Sequence, residues 1–311
     1  MKDFESSAGT IRRSTSVLIL GANGMLGHRL VQTLVGHFHV AATIRREKSL
    51  LINYPTWTQT CLIGGVAAED FDSIVRVVAA CRPQVVINCI GIVKQLPAAK
   101  DSLQSILVNA LFPHRLARLC QAIGARLIHF STDCVFSGRR GGYVEDDVAD
   151  ADDLYGRTKF LGEVSYDGCL TLRTSMIGRE LATSHGLIEW FLSQEGKTIR
   201  GYTRAIFSGL STSALSDVIA HIVAHHPGLQ GVYHVGAEPI SKFELLSLVK
   251  QVYGLNVQIV PDEEVICDRS LNADRFRRVT GFVPPTWPNM IEHIYQDATP
   301  YAELRGSRVN Q

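Results

Sequence analysis

The sequence predicts an α/β protein, a doubly wound parallel sheet followed by a smaller C-terminal lobe. Three observations predict it. Short β-branched and aliphatic runs alternate with amphipathic helical patterns through the first half of the chain. A glycine-rich turn, Gly21-Ala22-Asn23-Gly24-Met25-Leu26-Gly27, joins the first run to the first helical pattern. Beyond Asp150 the alternation gives way to longer helical and irregular stretches, with no Pro/Gly/Ser linker between the two parts.

The elements follow in order. Residues 1–15 are polar and read as a flexible tail. Ser16–Leu20 is the first strand, Met25–Val35 the first helix and His39–Ile44 the second strand. Thr60–Ile63, a helix over Asp72–Ala80 and Gln84–Cys89 repeat the pattern, and a helix over Ile106–Ala122 leads to the strand Arg126–Ser131. A helix over Asp153–Glu163 and a strand at Leu170–Thr174 follow. Leu181–Thr203 reads as helical and irregular, Val232–Val235 as a strand, and Lys242–Tyr253 and Asn272–Thr280 as helices. The expected division is a nucleotide-binding domain over 16–179, rejoined by the chain around 209–238, and a substrate-binding lobe formed mainly by 180–311.

Composition narrows the function. The chain has 311 residues, 46% hydrophobic and 20% charged, enough to bury a sizeable core. A net charge of +1 argues against a nucleic-acid or anionic-membrane surface. No apolar run approaches the ~20 residues of a membrane span, and no signal peptide is expected. Seven cysteines at irregular spacing, without a CxxC pair, fit reduced thiols in the cytoplasm. No metal site is assigned, because His221 and His225, spaced i,i+4, lack a partnering acid. A homodimer is the default expectation for assembly.

The glycine turn carries a cofactor signal. Its GxxGxxG spacing between strand and helix allows a tight turn and a close backbone approach to a pyrophosphate, which the helix N-terminus stabilises. That makes the sheet Rossmann-like and assigns Gly21, Asn23, Gly24, Met25, Leu26 and Gly27 to a dinucleotide. The second strand ends in Arg45-Arg46 with no acidic residue before Glu47. Two guanidinium groups suit a 2′-phosphate, so NADP(H) is favoured over NAD(H).

A catalytic signal lies farther on. Tyr155 and Lys159 are spaced i,i+4 and share a helix face, and a nearby ammonium is expected to lower the phenol's pKa. Ser131-Thr132-Asp133 closes a strand, the end where ligands bind in open α/β sheets. Thr132 fits the role of orienting a substrate carbonyl, with Ser131 as the other candidate.

With these motifs in order, the sequence resembles the extended short-chain dehydrogenase/reductases, and within them the dTDP-4-dehydrorhamnose reductase-like branch. The likeness rests on residues 21–27, NCIGIVKQ at 88–95, STDCVFSG at 131–138, YGRTKFLGE at 155–163, LRTSMIG at 172–178, and DRSLN at 268–272 followed by Pro284-Pro285-Thr286-Trp287. The resemblance implies Thr132, Tyr155 and Lys159 as the catalytic trio. It implies cofactor contacts from the glycine loop, Arg45, Cys89 and Gly91, and a supporting role for Asn109 in proton relay. Two departures stand out. Strand three ends Gly64-Gly65-Val66 without the acidic adenine contact often found there, and Met176 stands where these reductases tend to carry an aromatic.

The expected reaction is NADPH-dependent reduction of a 4-keto-6-deoxy sugar linked to dTDP or UDP. Lys94, Thr132, Asp133, Met176, Trp190, Arg204 and Arg269 are candidate substrate contacts, the cations for their fit to phosphate oxygens. Two alternatives stay open. One is a sugar-nucleotide epimerase or dehydratase on the same fold, although Asp133 is followed by Cys134 where dehydratases often have Glu. The other is a non-catalytic NADP-binding regulatory subunit.

Overall fold

The computed structural model describes residues 15–45, 57, 60–181 and 183–306. Arg46, one of the two expected 2′-phosphate ligands, lies outside the described residues, as does the expected tail except Thr15.

The sheet is seven-stranded. Its strands are β1 (Ser16–Leu20), β2 (His39–Thr43), β3 (Cys61–Ile63), β4 (Val85–Asn88), β5 (Arg126–Thr132), β6 (Cys169–Thr174) and, after four short strands of the C-terminal half, β11 (Gly231–His234). Their spatial order is β11-β6-β5-β4-β1-β2-β3, and every pairing is parallel. The order reverses between β1 and β4, which opens a crevice beyond the carboxyl ends of those strands. The pleat explains the apolar runs. Val17 and Ile19 enter the core on one face of the sheet, while Leu18 and Leu20 enter a second core on the other.

Helices cover both faces. They are α1 (Gly27–Leu34), α2 (Phe71–Cys81), α3 (Ser102–Ser105), α4 (Phe112–Ile123) and α5 (Leu154–Leu161). The single helix expected over Ile106–Ala122 is interrupted, because Ile106–Leu111 is a π-helical stretch between α3 and α4. The break carries Asn109, whose side chain reaches a neighbouring loop instead of solvent, an arrangement typical of functional positions.

The C-terminal half adds β7 (Met176–Ile177), α6 (Leu187–Leu192), β8 (Thr198–Tyr202), β9 (Ala205–Phe207), β10 (Leu210–Ser211) and α7 (Thr212–His225). After β11 come β12 (Ile240–Ser241), α8 (Lys242–Tyr253), β13 (Gln258–Asp262), β14 (Cys267–Asp268), α9 (Asp274–Thr280), α10 (Trp287–Tyr295) and α11 (Tyr301–Gly306). The helical expectation for Leu181–Thr203 holds only over α6. Its last part is a strand because Thr198–Tyr202 pairs in parallel with Gln258–Asp262, a partner 60 residues away in sequence. The Lys242–Tyr253 helix is found as read, with a Ser241/Glu244 capping box at its start and Gly254 at φ +66° after its end. The pattern does not announce α10. Pro288 occupies its first turn, where the missing N–H has no helical partner to lose. No helix among the described residues is long and apolar enough to cross a membrane.

Candidate active site

The glycine turn is shaped by sterics. Gly21 has φ +80°, and a side-chain carbon there would meet the Cys89 carbonyl at 3.2 Å. Gly24 donates its N–H to the Gly21 carbonyl. At Gly27 an added carbon would stand 2.3 Å from the Gly21 carbonyl oxygen and 2.8 Å from Ala22 Cα. The loop can close only because that side chain is absent. Leu26 points into the core, so only its backbone can face a ligand. Met25 lies on the side of the loop toward Gly186. Behind the loop, His28 Nδ1 sits 2.9 Å from the Gly24 carbonyl and Nε2 sits 2.9 Å from the Tyr301 hydroxyl. Burial lowers the His28 pKa to about 4, so the loop is braced by a neutral ring at pH 7.

Gly21, Asn23 and Gly24 of this loop line a cleft of about 550 Å³ together with Arg45, Glu69, Cys89 and Gly91, and Met25, Leu26 and Gly27 do not line it. Arg45 projects into solvent and pairs with Glu69 at 2.8 Å. The pattern at the end of strand three gave no acidic contact, yet Glu69, six residues after Ile63, brings a carboxylate to the same cleft. Sequence reading missed it because it lies in the turn before α2, outside any periodic element. Cys89 is packed so closely that burial pushes its thiol well above the ordinary range, and it is a neutral wall. Asn109 accepts from the Ile92 N–H at 2.8 Å and donates to the Ile92 carbonyl at 3.0 Å. Its amide thus pins the loop that follows β4.

The next strand end carries the hydroxyl groups. Ser131 Oγ donates to Glu163 at 2.6 Å. Glu163 in turn forms a two-point ion pair with buried Arg173. Ser131 is therefore tied to the protein interior. Thr132 instead lies beside the Tyr155 phenol and interacts with it. It also accepts from the Cys134 N–H and donates to Asp133.

Two glycines let helix α5 pack closely, Gly156 against the segment after β5 and Gly162 against the π-helical stretch that carries Asn109. A side-chain carbon at Gly156 would lie 2.2 Å from the Cys134 carbonyl, and one at Gly162 would lie 1.9 Å from the Asn109 carbonyl. Asp153 caps the helix by accepting from the Gly156 N–H at 2.7 Å. Tyr155, Lys159 and Gly162 then fall on one helix face.

The charge states differ from the simple expectation. Burial raises the Tyr155 phenol above its ordinary value, and the nearby Cys134 and Asp133 act in the same direction. Lys159 does not offset this. Its ammonium donates to the Phe130 carbonyl at 2.7 Å, and burial draws it down to about 8 against the opposing pull of Glu163. The expected lowering of the phenol's pKa is thus corrected to a rise, which keeps Tyr155 a phenol able to give a proton. Cys134 is pushed up to about 12, chiefly by burial, and Asp133 is raised by burial as well.

The remaining candidates divide. Arg269 reaches the same strand end, donating to the Phe136 carbonyl at 2.9 Å and the Ser137 carbonyl at 3.4 Å. Lys94 is paired with Asp153 at 2.6 Å, at the cap of α5. Met176 is half-buried in β7 against Leu210. Arg204 is exposed at the turn between β8 and β9. Trp190 lies on the outer side of α6, 39% exposed, while its neighbour Phe191 enters the core. A helical step of ~100° separates adjacent residues, so the two neighbouring aromatics face different ways. A larger groove of about 940 Å³ lies between α8 and residues 281–288, and none of Thr132, Tyr155 or Lys159 lines it.

Comparison with known proteins identifies relatives of this arrangement. The family described as RmlD substrate binding domain matches residues 15–299. A dTDP-4-dehydrorhamnose reductase of Mycobacterium tuberculosis is 31% identical over 59% of this chain and 61% of its own length. A dTDP-4-keto-6-deoxy-D-glucose reductase of Streptomyces niveus is 28% identical over 80% of this chain and 83% of its own. Among solved structures, the Bacillus anthracis dTDP-4-dehydrorhamnose reductase in complex with NADP shares the fold with a TM-score of 0.75. It is 24% identical and covers 90% of this chain and 98% of that one.

Proposed function

The chain belongs to the RmlD substrate binding domain family, and from that premise we propose that it reduces a nucleotide-linked 4-keto-6-deoxy sugar with NADPH. The observation that carries the reading is the meeting of Thr132 and Tyr155 at the carboxyl end of β5, with Lys159 one turn along the same helix. The cleft fits the cofactor. Its loop is closed at Gly21 and Gly27 where a side chain would collide, leaving backbone N–H groups for a pyrophosphate, and Arg45 stands at its rim.

In this reading NADPH, when bound, supplies the hydride for the carbonyl carbon. Thr132 Oγ1 orients the carbonyl oxygen, and Tyr155 Oη gives that oxygen its proton as negative charge develops. The raised phenol pKa keeps Tyr155 in the donor form at neutral pH. Lys159 supplies positive charge beside the relay, and Asn109 holds the loop after β4 in place. A dehydratase needs a second acid/base at the residue after Asp133. Cys134, a thiol with a pKa pushed up to about 12, is poorly suited to that role. The direct test is NADPH oxidation against a panel of dTDP- and UDP-linked 4-keto-6-deoxy sugars, with product stereochemistry read by NMR. No consumption of NADPH with any of them would reject the reading.

Lys159 gives a pH dependence. The kcat/KM profile, which reports free enzyme, should fall as pH rises through about 8, where the ammonium is lost. Stability moves the other way. The folded chain releases this proton near 8 and the unfolded chain near 10.5, so the lysine's contribution to stability grows across that interval. Lys159→Met should therefore lower kcat about a hundredfold and remove the alkaline limb, while its melting temperature is unchanged or higher. A melting temperature well below wild type, with the alkaline limb intact, contradicts this.

Arg45 gives a cofactor test. A charge-assisted contact to the 2′-phosphate is worth about 1.5–3 kcal/mol, about ten- to a hundredfold in affinity. Arg45→Ala should lose that much for NADPH and little for NADH. Glu69→Gln, which frees the guanidinium from its carboxylate partner, should tighten NADPH several-fold. Equal losses for both cofactors in Arg45→Ala would remove Arg45 from this role.

A further inference from the structure

We infer that Lys242 is, with Arg269, one of two cations that take the diphosphate of the nucleotide sugar, an inference that rests on the proposed reductase reading. The argument begins with the small sheet β12-β9-β14. Ser241 is in register with Ile206 of β9, and Ile206 with Asp268 of β14. Cys267 pairs with Ala205 one position earlier, and Lys242 follows Ser241 directly as the first residue of α8. The Arg269 N–H continues the ladder by bonding to the Ile206 carbonyl, which sets Arg269 level with Phe207. Side chains two residues apart on a strand share a face. Cys267 and Arg269 therefore share a face, and Lys242 and Arg269 are both close enough to Asp133, Cys134 and Cys267 to feel their charge, which places the two cations at one site.

That face covers the end of β5. Arg269 bonds to the Phe136 and Ser137 carbonyls, and Cys267 Sγ presses on Gly138, where an added carbon would lie 2.5 Å from the sulfur. The Lys242 ammonium lies 4.3 Å from the centre of the Phe207 ring. Among the described residues it has no hydrogen-bond acceptor and no contact ion pair. Asp133 and Cys134 are the groups it faces at longer range, and both are held toward their neutral forms by burial.

Two cations thus converge near a strand end where the carboxylate is disfavoured. A partly buried ammonium on an aromatic face, without an acceptor, bears a desolvation cost that a bound anion relieves. A diphosphate suits the pair, since the guanidinium gives a planar fork and the ammonium a movable point charge. The sequence did not single out Lys242. It sits just after a helix cap, where a lysine reads as a solvated first-turn residue, and only the packing of that helix start brings it onto Phe207 and near Asp133.

The test is calorimetric binding of dTDP and UDP to the full chain, with NADPH and the nucleosides thymidine and uridine as controls. Lys242→Met should weaken whichever diphosphate the wild type binds by tenfold or more. NADPH affinity should stay within about twofold, and Lys242→Arg should recover most of the loss. Wild-type diphosphate affinity in Lys242→Met overturns the inference, as does a loss that Lys242→Arg does not recover, or a wild type that binds neither diphosphate. A loss equal for diphosphate and nucleoside also overturns it, because the lysine would then be reading the base or holding the fold. Diphosphate binding and keto-sugar reduction are separate readouts. A chain that binds dTDP through Lys242 but reduces no sugar rejects the reductase reading alone.

Discussion

Replacing Tyr155 by Phe should reduce ketone reduction by about a thousandfold, with NADPH affinity within a few-fold of wild type. The size follows from general acid catalysis, which supplies ~10²–10⁴ in rate. The substitution removes one hydroxyl and keeps the ring. The packing of α5 depends on Gly156 and Gly162 and on the Asp153 cap, none of which is touched. Stability should change little, because Thr132 keeps its bonds to Asp133 and to the Cys134 N–H when the phenol hydroxyl is lost. Stopped-flow measurement of hydride transfer, beside NADPH titration by fluorescence, separates the outcomes. Retention of more than a tenth of the wild-type rate would mean that another group gives the proton. Thr132→Val offers the companion result, with a smaller loss falling on carbonyl orientation.

The second large effect is expected at Gly27. Gly27→Ala places a methyl group 2.3 Å from the Gly21 carbonyl oxygen and 2.8 Å from Ala22 Cα. Both obstacles are backbone, so no rotamer change relieves the clash and the turn must open. An opened turn splays the N–H groups that would meet a pyrophosphate. NADPH affinity should fall a hundredfold or more, with a lower melting temperature from overpacking, which costs ~1–3 kcal/mol. Gly36→Ala is the matched control, because nothing lies within 4 Å of a carbon added there. It should leave both quantities near wild type. Near-normal NADPH affinity in Gly27→Ala would place the cofactor's phosphates elsewhere.

How much the sequence disclosed depended on how local the cause was. β1 and α8 were legible to the residue, since an apolar run before a glycine turn and a Ser/Glu capping box are complete within a few positions. Thr198–Tyr202 was misread because its strand character comes from a partner at Gln258–Asp262. Thr132 was the preferred hydroxyl, with its neighbour Ser131 as the other candidate. Pleat alternation separates them, sending one to Glu163 and the other to Tyr155. The Tyr155–Lys159 pair was legible by its spacing, but its protonation was not. Spacing counts the nearby cation and leaves out the desolvation that dominates both groups.

By itself the sequence determined the alternation that makes a parallel sheet, the glycines that close the first turn, and the set of polar residues at the strand ends. These follow from short-range sterics and periodicity, which any stretch of chain carries with it. Only the tertiary structure decided that Glu69 meets Arg45, that the Lys159 ammonium turns to the Phe130 carbonyl, and that Lys242 and Arg269 share Asp133 and Cys134 as neighbours. Those outcomes depend on register and burial between distant segments. An ion's energy is set by everything packed around it, and no window of sequence contains that.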